Sequence, residues 1–239
     1  MTVGHLQVIH LIVMWLIVKG GKKALMSGIP DLTIITPSKW LAGLVKRSYL
    51  SQYDVRVINN GIDTSQFYRI DSDIKASLNI SDRKMLLGVS TAWDEMKGYS
   101  DYLKLADALG DEYKVVMVGL TKVQLSELHG NVLGIERTDS ITELAQLYSA
   151  ADLFVNLSYC ENYPTVNLEA VACGTPVLTY DVGGSSECVF GGIVVPRGDI
   201  NAVVERIKSS NVPGPDVDVS SLDKKEMVSS YIDVISGLG

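Results

Sequence analysis

The chain is poor in the residues that redox and metal chemistry draw on. Its three cysteines, Cys160, Cys173 and Cys188, show no CxxC or other metal-ligand spacing. That argues against a zinc site or a disulfide scaffold and for a reducing compartment. The three histidines, His5, His10 and His129, are scattered and form no triad or metal set. There is no GxxxxGKS/T, so a P-loop is excluded, and no G-x-G-x-x-G follows a strand-like run, which weakens a dinucleotide oxidoreductase. GxSxG is absent too. Nothing in the chain requires a metal or a cofactor.

Long apolar runs are also missing. Val8 to Val18 is apolar apart from His10, well short of the roughly 20 residues a bilayer span needs. No basic residue precedes it and no small-residue cleavage site follows, which disfavours a signal peptide. The run reads as buried strand or helix, as the edge of a truncated chain, or as a membrane-surface contact assisted by Lys19, Lys22 and Lys23. The formal charge is −7, which argues against nucleic acid as a partner. Residues 1–50 hold six Lys and Arg against Asp31 alone, so the remainder carries a net −12.

From Leu32 onward, short β-branched runs alternate with amphipathic stretches. LTIIT and Val55–Ile58 read as strands around a helix that Ser38 caps and that runs to Leu50. Residues 71–83 read as a polar helix and a loop. Met85–Ser90, Tyr113–Leu120, Val132–Ile135, Asp152–Ser158, Pro176–Tyr180 and Gly191–Pro196 follow as strands. Helices are expected over Ser100–Leu109, Lys122–Leu128, Ile141–Ser149 and Asp199–Ser209. Such an order implies βαβ units, hence an α/β fold with a Rossmann-like parallel sheet flanked by helices. Three segments result: an irregular or truncated 1–31, a domain over 32–210, and a linker with a closing helix over 211–239. Ligands of such sheets collect at the carboxyl ends of the strands, where Lys97, Gly119, Glu161 and Gly183 all fall.

The densest chemistry lies in ENYPTVNLEAVACGTPVLTYDVGGSSE, from Glu161 to Glu187. Seven residues separate Glu161 from Glu169, and Pro164 between them suits the first turn of a helix that stops at Gly174. Glu161 then sits in the loop before the helix and Glu169 about a turn and a half inside it. The backbone amides of Thr165, Val166 and Asn167 are expected to lack intrahelical partners and to offer donors to an anion. Carboxylates beside that anion accept bonds from neutral hydroxyls. A ligand with hydroxyls on both sides of a phosphate group fits, and a nucleotide sugar is one.

The E-x7-E spacing, EAVACGTPV and GGSSE resemble the donor-binding half of retaining GT-B glycosyltransferases, the group called glycosyltransferase family 4. The resemblance spans roughly Leu32 to Ile207. It implies a transferase that moves a sugar from a nucleoside diphosphate sugar, of UDP or GDP type, to a glycan or lipid-linked acceptor in polysaccharide biosynthesis. It implies that Glu169 binds the ribose hydroxyls, Glu161 those of the transferred sugar, and the lysine of Lys97-Gly98 the diphosphate, with Gly119 at the same rim. Arg137 and Thr138 would frame the nucleobase. The family's arginine five residues before the lysine is replaced by Ala92, and the proline of its PNGID-like interdomain turn by Asn59. Asp71-Ser72-Asp73, a triplet of the kind that holds metal in the other large glycosyltransferase fold, reads as solvated surface. The acceptor domain of the resembled fold has no counterpart in the roughly 30 residues before the match. A second reading is therefore a donor-binding subunit or remnant that needs a partner chain for catalysis. A cytoplasmic location, at most peripheral to the inner face of the membrane, goes with either.

Overall fold

The computed structural model describes residue 26, residues 28–209 and residues 212–237. The apolar run Val8–Val18 and the membrane contact read into it lie outside the described residues. No helix among the described residues is long and apolar enough to cross a membrane. The chain divides into two compact units, one taking in the described residues up to Gly61 and from Lys224 on, the other Ile62–Asp223.

In the first unit, β1 (Thr33–Thr36) pairs in parallel with β2 (Asp54–Val57), joined by α1 (Lys39–Lys46). Ser38 caps α1 by accepting from the Leu41 amide at 3.2 Å. The helix buries Leu41 and Val45 against Leu32, Ile34 and Leu50. It ends four residues earlier than the apolar pattern suggests. The Ser48 hydroxyl donates to the Val45 carbonyl at 2.8 Å, a side-chain bond that competes with a further helical turn. The closing helix, Lys224–Ser236, belongs to this unit.

The second unit carries, in order, α2 (Ile74–Ser77), β3 (Lys84–Val89), α3 (Tyr99–Ala108), β4 (Tyr113–Val118), α4 (Lys122–Glu127), β5 (Val132–Ile135), α5 (Ile141–Ala150), β6 (Leu153–Asn156), α6 (Thr165–Ala172), β7 (Val177–Tyr180), β8 (Ile193–Val195) and α7 (Ile200–Lys208). Its strands form one parallel sheet in the order β5-β4-β3-β6-β7-β8. The apolar runs are continuous because both faces are covered. In β4, Val116 and Val118 join the core cluster that includes residues of α5 and α6, while Val115 and Met117 join the cluster beneath α3 and α7. Residues 212–221, read in the sequence as linker, pack back onto this unit. Val217 and Val219 lie on its core, Leu222 is buried, and the Ile62 amide donates to the Leu222 carbonyl at 2.9 Å. Apolar residues spaced among the aspartates and prolines outweigh the polar composition there.

The strand order reverses between β3 and β6. From β3 the chain steps outward to β4 and β5, then returns to β6 and steps the other way. Loops leaving those two strands must diverge, which opens a crevice at their carboxyl ends. Pairing confirms the divergence. β3 matches β4 over six residues but meets β6 only at Leu86↔Leu153 and Leu87↔Phe154.

Candidate functional site

Beyond Leu87 and Phe154 the two strands enclose a cleft of about 220 Å³. Val89, Ser90 and Thr91 line it from the β3 side, Val155, Asn156 and Ser158 from the β6 side, with Lys97, Glu161, Thr165 and Val166 around the mouth. Tyr102 of α3 explains the gap. A side chain at Gly88 would stand 2.5 Å from its ring, so the glycine admits the tyrosine against β3. The Tyr102 hydroxyl donates to the Val155 carbonyl, giving that β6 acceptor a partner from the helix. Trp93 braces Tyr102 edge-on at 4.8 Å and donates its indole N–H to the Val118 carbonyl at 2.9 Å.

Lys97 closes a short 3₁₀ turn, Glu95–Lys97, which Asp94 caps by accepting from the Lys97 amide at 2.8 Å. Gly98 follows with φ +77°, and a Cβ there would lie 2.3 Å from the Leu157 carbonyl oxygen. Only glycine lets the turn rest on the backbone leaving β6. The Tyr159 amide then donates to the Met96 carbonyl at 2.8 Å. So held, the Lys97 ammonium meets Glu161 Oε1 at 2.6 Å. The lysine side chain is 40 % exposed and the glutamate 13 %, so this is a partly screened pair at the cleft mouth.

Helix α6 begins at Thr165, with Pro164 as its N-cap in an extended conformation (φ −69°, ψ 122°) rather than inside the first turn. Its three leading amides differ in whether they have an acceptor within the chain. Among the described residues no acceptor takes the Thr165 or Val166 amide, but the Asn167 amide donates to the Pro164 carbonyl at 3.2 Å. Asn167 is therefore corrected as an anion donor: the proline carbonyl turns back over the first turn and claims that N–H. Its side chain is wholly buried, accepting from Asn156 Nδ2 at 2.9 Å and donating to Cys188 Sγ at 3.5 Å. Asn156 Oδ1 also accepts from the Ser158 amide at 3.2 Å. One buried amide thus ties the tip of α6 to the loop that carries Glu161.

Glu169 lies four residues past Thr165, on the same face of α6. It stands outside the lining of the cleft, half-buried, and accepts from the Tyr148 hydroxyl at 2.8 Å. Burial pushes its carboxyl above the ordinary glutamate range, and the Tyr148 bond offsets only part of that. Gly119 also stands back from the lining. With φ +98° it lets β4 end against the Ser90 carbonyl, where a Cβ would come within 1.7 Å, so it shapes the wall behind Ser90. Arg137 and Thr138 follow the edge strand β5, two strands from β3 and outside the cleft lining; Arg137 is exposed. Of the two glycines in the turn after β7, only Gly183 takes a positive φ, +57°.

The structure thus brings Lys97, Glu161, Thr165 and Val166 together and sets Glu169 further along α6. Ser90, Thr91, Trp93, Asn156 and Ser158 join them without having been singled out from the sequence. For Asn156 a signal exists, a polar residue closing the apolar run LFVN.

The sequence matches one family model, described as Glycosyl transferases group 1, over residues 71–210. The chain is 29 % identical over 217 residues to alpha-monoglucosyldiacylglycerol synthase of Streptococcus pneumoniae, a match covering 80 % of this chain and 47 % of that protein. It is 27 % identical over 178 residues to alpha-maltose-1-phosphate synthase of Mycolicibacterium smegmatis, covering 66 % of this chain and 46 % of the other. The chain spans about half the length of the curated relatives it matches. Among solved structures, sucrose-phosphate synthase from Thermosynechococcus elongatus superposes with a TM-score of 0.72 at 24 % identity, covering 92 % of this chain and 62 % of that one. Anabaena Alr3699/HepE, solved in complex with UDP and glucose, superposes with a TM-score of 0.68 at 18 % identity, covering 91 % and 67 %. These likenesses show the fold.

Proposed function

The chain belongs to the group 1 glycosyl transferases, and from that premise we propose that its cleft binds a nucleoside diphosphate sugar whose sugar passes, with retention, to a glycan or lipid-linked acceptor. The observation that carries this reading is the meeting of a cation, an acid and a bare helix tip at the switch point of the sheet. The tip amides of Thr165 and Val166 offer hydrogen bonds and a partial positive charge to the diphosphate. Lys97 adds a full charge. When the bond between the anomeric carbon and the diphosphate oxygen breaks, negative charge grows on the leaving group, and these donors are already in place for it. Glu161, facing Lys97, accepts from hydroxyls of the transferred sugar. Glu169, on the Thr165 face of α6, takes the ribose hydroxyls, and Arg137 with Thr138 borders the base. Gly119 serves by letting the Ser90 wall come close. The complex of Anabaena Alr3699/HepE with UDP and glucose supports a donor of the UDP type.

A second reading is proposed beside it: the chain binds donor, and a partner chain supplies the acceptor side. Membrane contact at the inner face belongs to the same proposal.

Titration calorimetry with UDP, GDP and UDP-glucose tests donor binding. Lys97→Ala removes a charge-assisted contact of roughly 1.5–3 kcal/mol, so the affinity for UDP is expected to drop about 10- to 100-fold. A Glu169→Ala variant that binds UDP as tightly as the parent refutes the ribose role. A transfer assay with and without a candidate partner chain separates the two readings.

A further inference from the structure

Behind the cleft lies a polar cluster to which no role has been given. Asp101, in the first turn of α3, is 3 % exposed. Its Oδ2 accepts from the Tyr159 hydroxyl at 2.7 Å and the Tyr180 hydroxyl at 2.8 Å, and its Oδ1 from Lys104 Nζ at 2.8 Å. Burying a carboxylate is costly unless it is paired and hydrogen-bonded, and an apolar residue of similar size is often no worse for stability. What such a cluster contributes is a fixed geometry. Its tyrosines are fixed by more than the acid. The Tyr159 ring meets Tyr180 edge-on at 5.7 Å, and a Cβ on Gly198 would stand 3.2 Å from the Tyr159 oxygen.

Tyr159 stands outside the lining of the cleft but is the member tied to the loops that form its mouth. It lies two residues before Glu161, and its amide holds the carbonyl of Met96, the residue before Lys97. One residue thus joins both chain segments that carry the ion pair, with its hydroxyl anchored to the helix that follows Lys97.

We propose that Asp101 and Tyr159 form a latch that sets the spacing of Lys97 and Glu161, both acting as positioning residues for the donor. This rests on the cleft being the donor site. Without the hydroxyl anchor, the Tyr159 ring keeps its packing on Tyr180 but loses its tie to α3, and the Met96 contact loosens with it. The two loops then part, and a ligand that spans lysine and glutamate loses its fit.

Two conservative variants test it, each deleting one hydroxyl from the same carboxylate oxygen. Tyr159→Phe cuts the anchor of the loop. Tyr180→Phe cuts an equivalent bond made from β7, outside both loops. In amide hydrogen exchange, Tyr159→Phe is expected to speed exchange in peptides covering residues 94–99 and 157–162, while Tyr180→Phe leaves them near the parent rate. In calorimetry with UDP-glucose, Tyr159→Phe is expected to lose affinity on the order of 10-fold, and Tyr180→Phe to keep the parent value. Equal exchange and equal affinity in the two variants would overturn the latch and leave the cluster as packing. A parent chain that binds no nucleoside diphosphate sugar would sink the donor reading instead, and the exchange comparison would still decide the latch.

Discussion

Lys97 and Glu161 satisfy each other at 2.6 Å, so a diphosphate bound at the proposed site would compete with the glutamate for the same ammonium. Exposed pairs contribute roughly 0.2–1 kcal/mol, and this partly screened pair falls toward the upper end. Glu161→Gln should therefore free the lysine and tighten UDP binding by up to about 5-fold. The same change should weaken UDP-glucose relative to UDP by roughly 10-fold or more, because the proposed acceptor for sugar hydroxyls loses its charge. Calorimetry on the two ligands reads both effects. Glu169 is a separate case, since burial raises its carboxyl in the folded chain while the unfolded chain titrates it normally. Between those two values the native state holds the extra proton, so its contribution to stability falls as pH rises through that window and stays low above it. Glu169→Gln should melt at a higher temperature than the parent at pH 7, an advantage that disappears below about pH 4. Thermal melts at the two pH values check the sign. The places of both acids, one in the loop before α6 and one inside it, were legible from their spacing around Pro164. The burial of Glu169 and the loss of the Asn167 amide were not, because both depend on neighbours, Tyr148 and the Pro164 carbonyl, whose placement the spacing leaves open.

Two elements meet at Gly98, the 3₁₀ turn carrying Lys97 and the backbone leaving β6. Gly98→Ala forces an L residue into φ +77° and drives a methyl to within 2.3 Å of the Leu157 carbonyl. Gly130 offers a control: its φ is +66°, but nothing stands within 4 Å of its missing Cβ. Strain alone costs about 1–3 kcal/mol. Gly130→Ala should lose about that much and keep its affinity for UDP. Gly98→Ala should lose more stability and most of its affinity, because the turn must lift away from Glu161. Denaturant unfolding and calorimetry on both variants measure the difference. Strands and helices of this unit were legible from period and punctuation; Val132–Ile135 matches residue for residue. Ends were less so, as Ser48 shows by closing α1 with a side-chain bond that apolar periodicity does not encode.

For the whole molecule, a donor bound only by the folded chain stabilises it by mass action. At a hundred times Kd, UDP-glucose should add about 2.7 kcal/mol, a rise of roughly 5–10 °C in the unfolding midpoint for a chain of this size. Thermal-shift comparison of UDP-, GDP- and ADP-glucose ranks the bases, and a midpoint unmoved by all of them tells against the donor reading. The sequence by itself determined the parallel α/β sheet, the strand ends at which ligands gather, and the residue types held there. Those follow from local physics: apolar runs, caps, prolines and glycines act over a few residues. Only the tertiary structure decided which loops became neighbours. The strand order reverses between β3 and β6, Tyr102 fills the space over Gly88, and so Lys97 and Glu161, sixty-four residues apart, share one cleft. Arg137, equally eligible by its place after a strand, stays at the edge, because no local pattern states the order in which strands lie side by side.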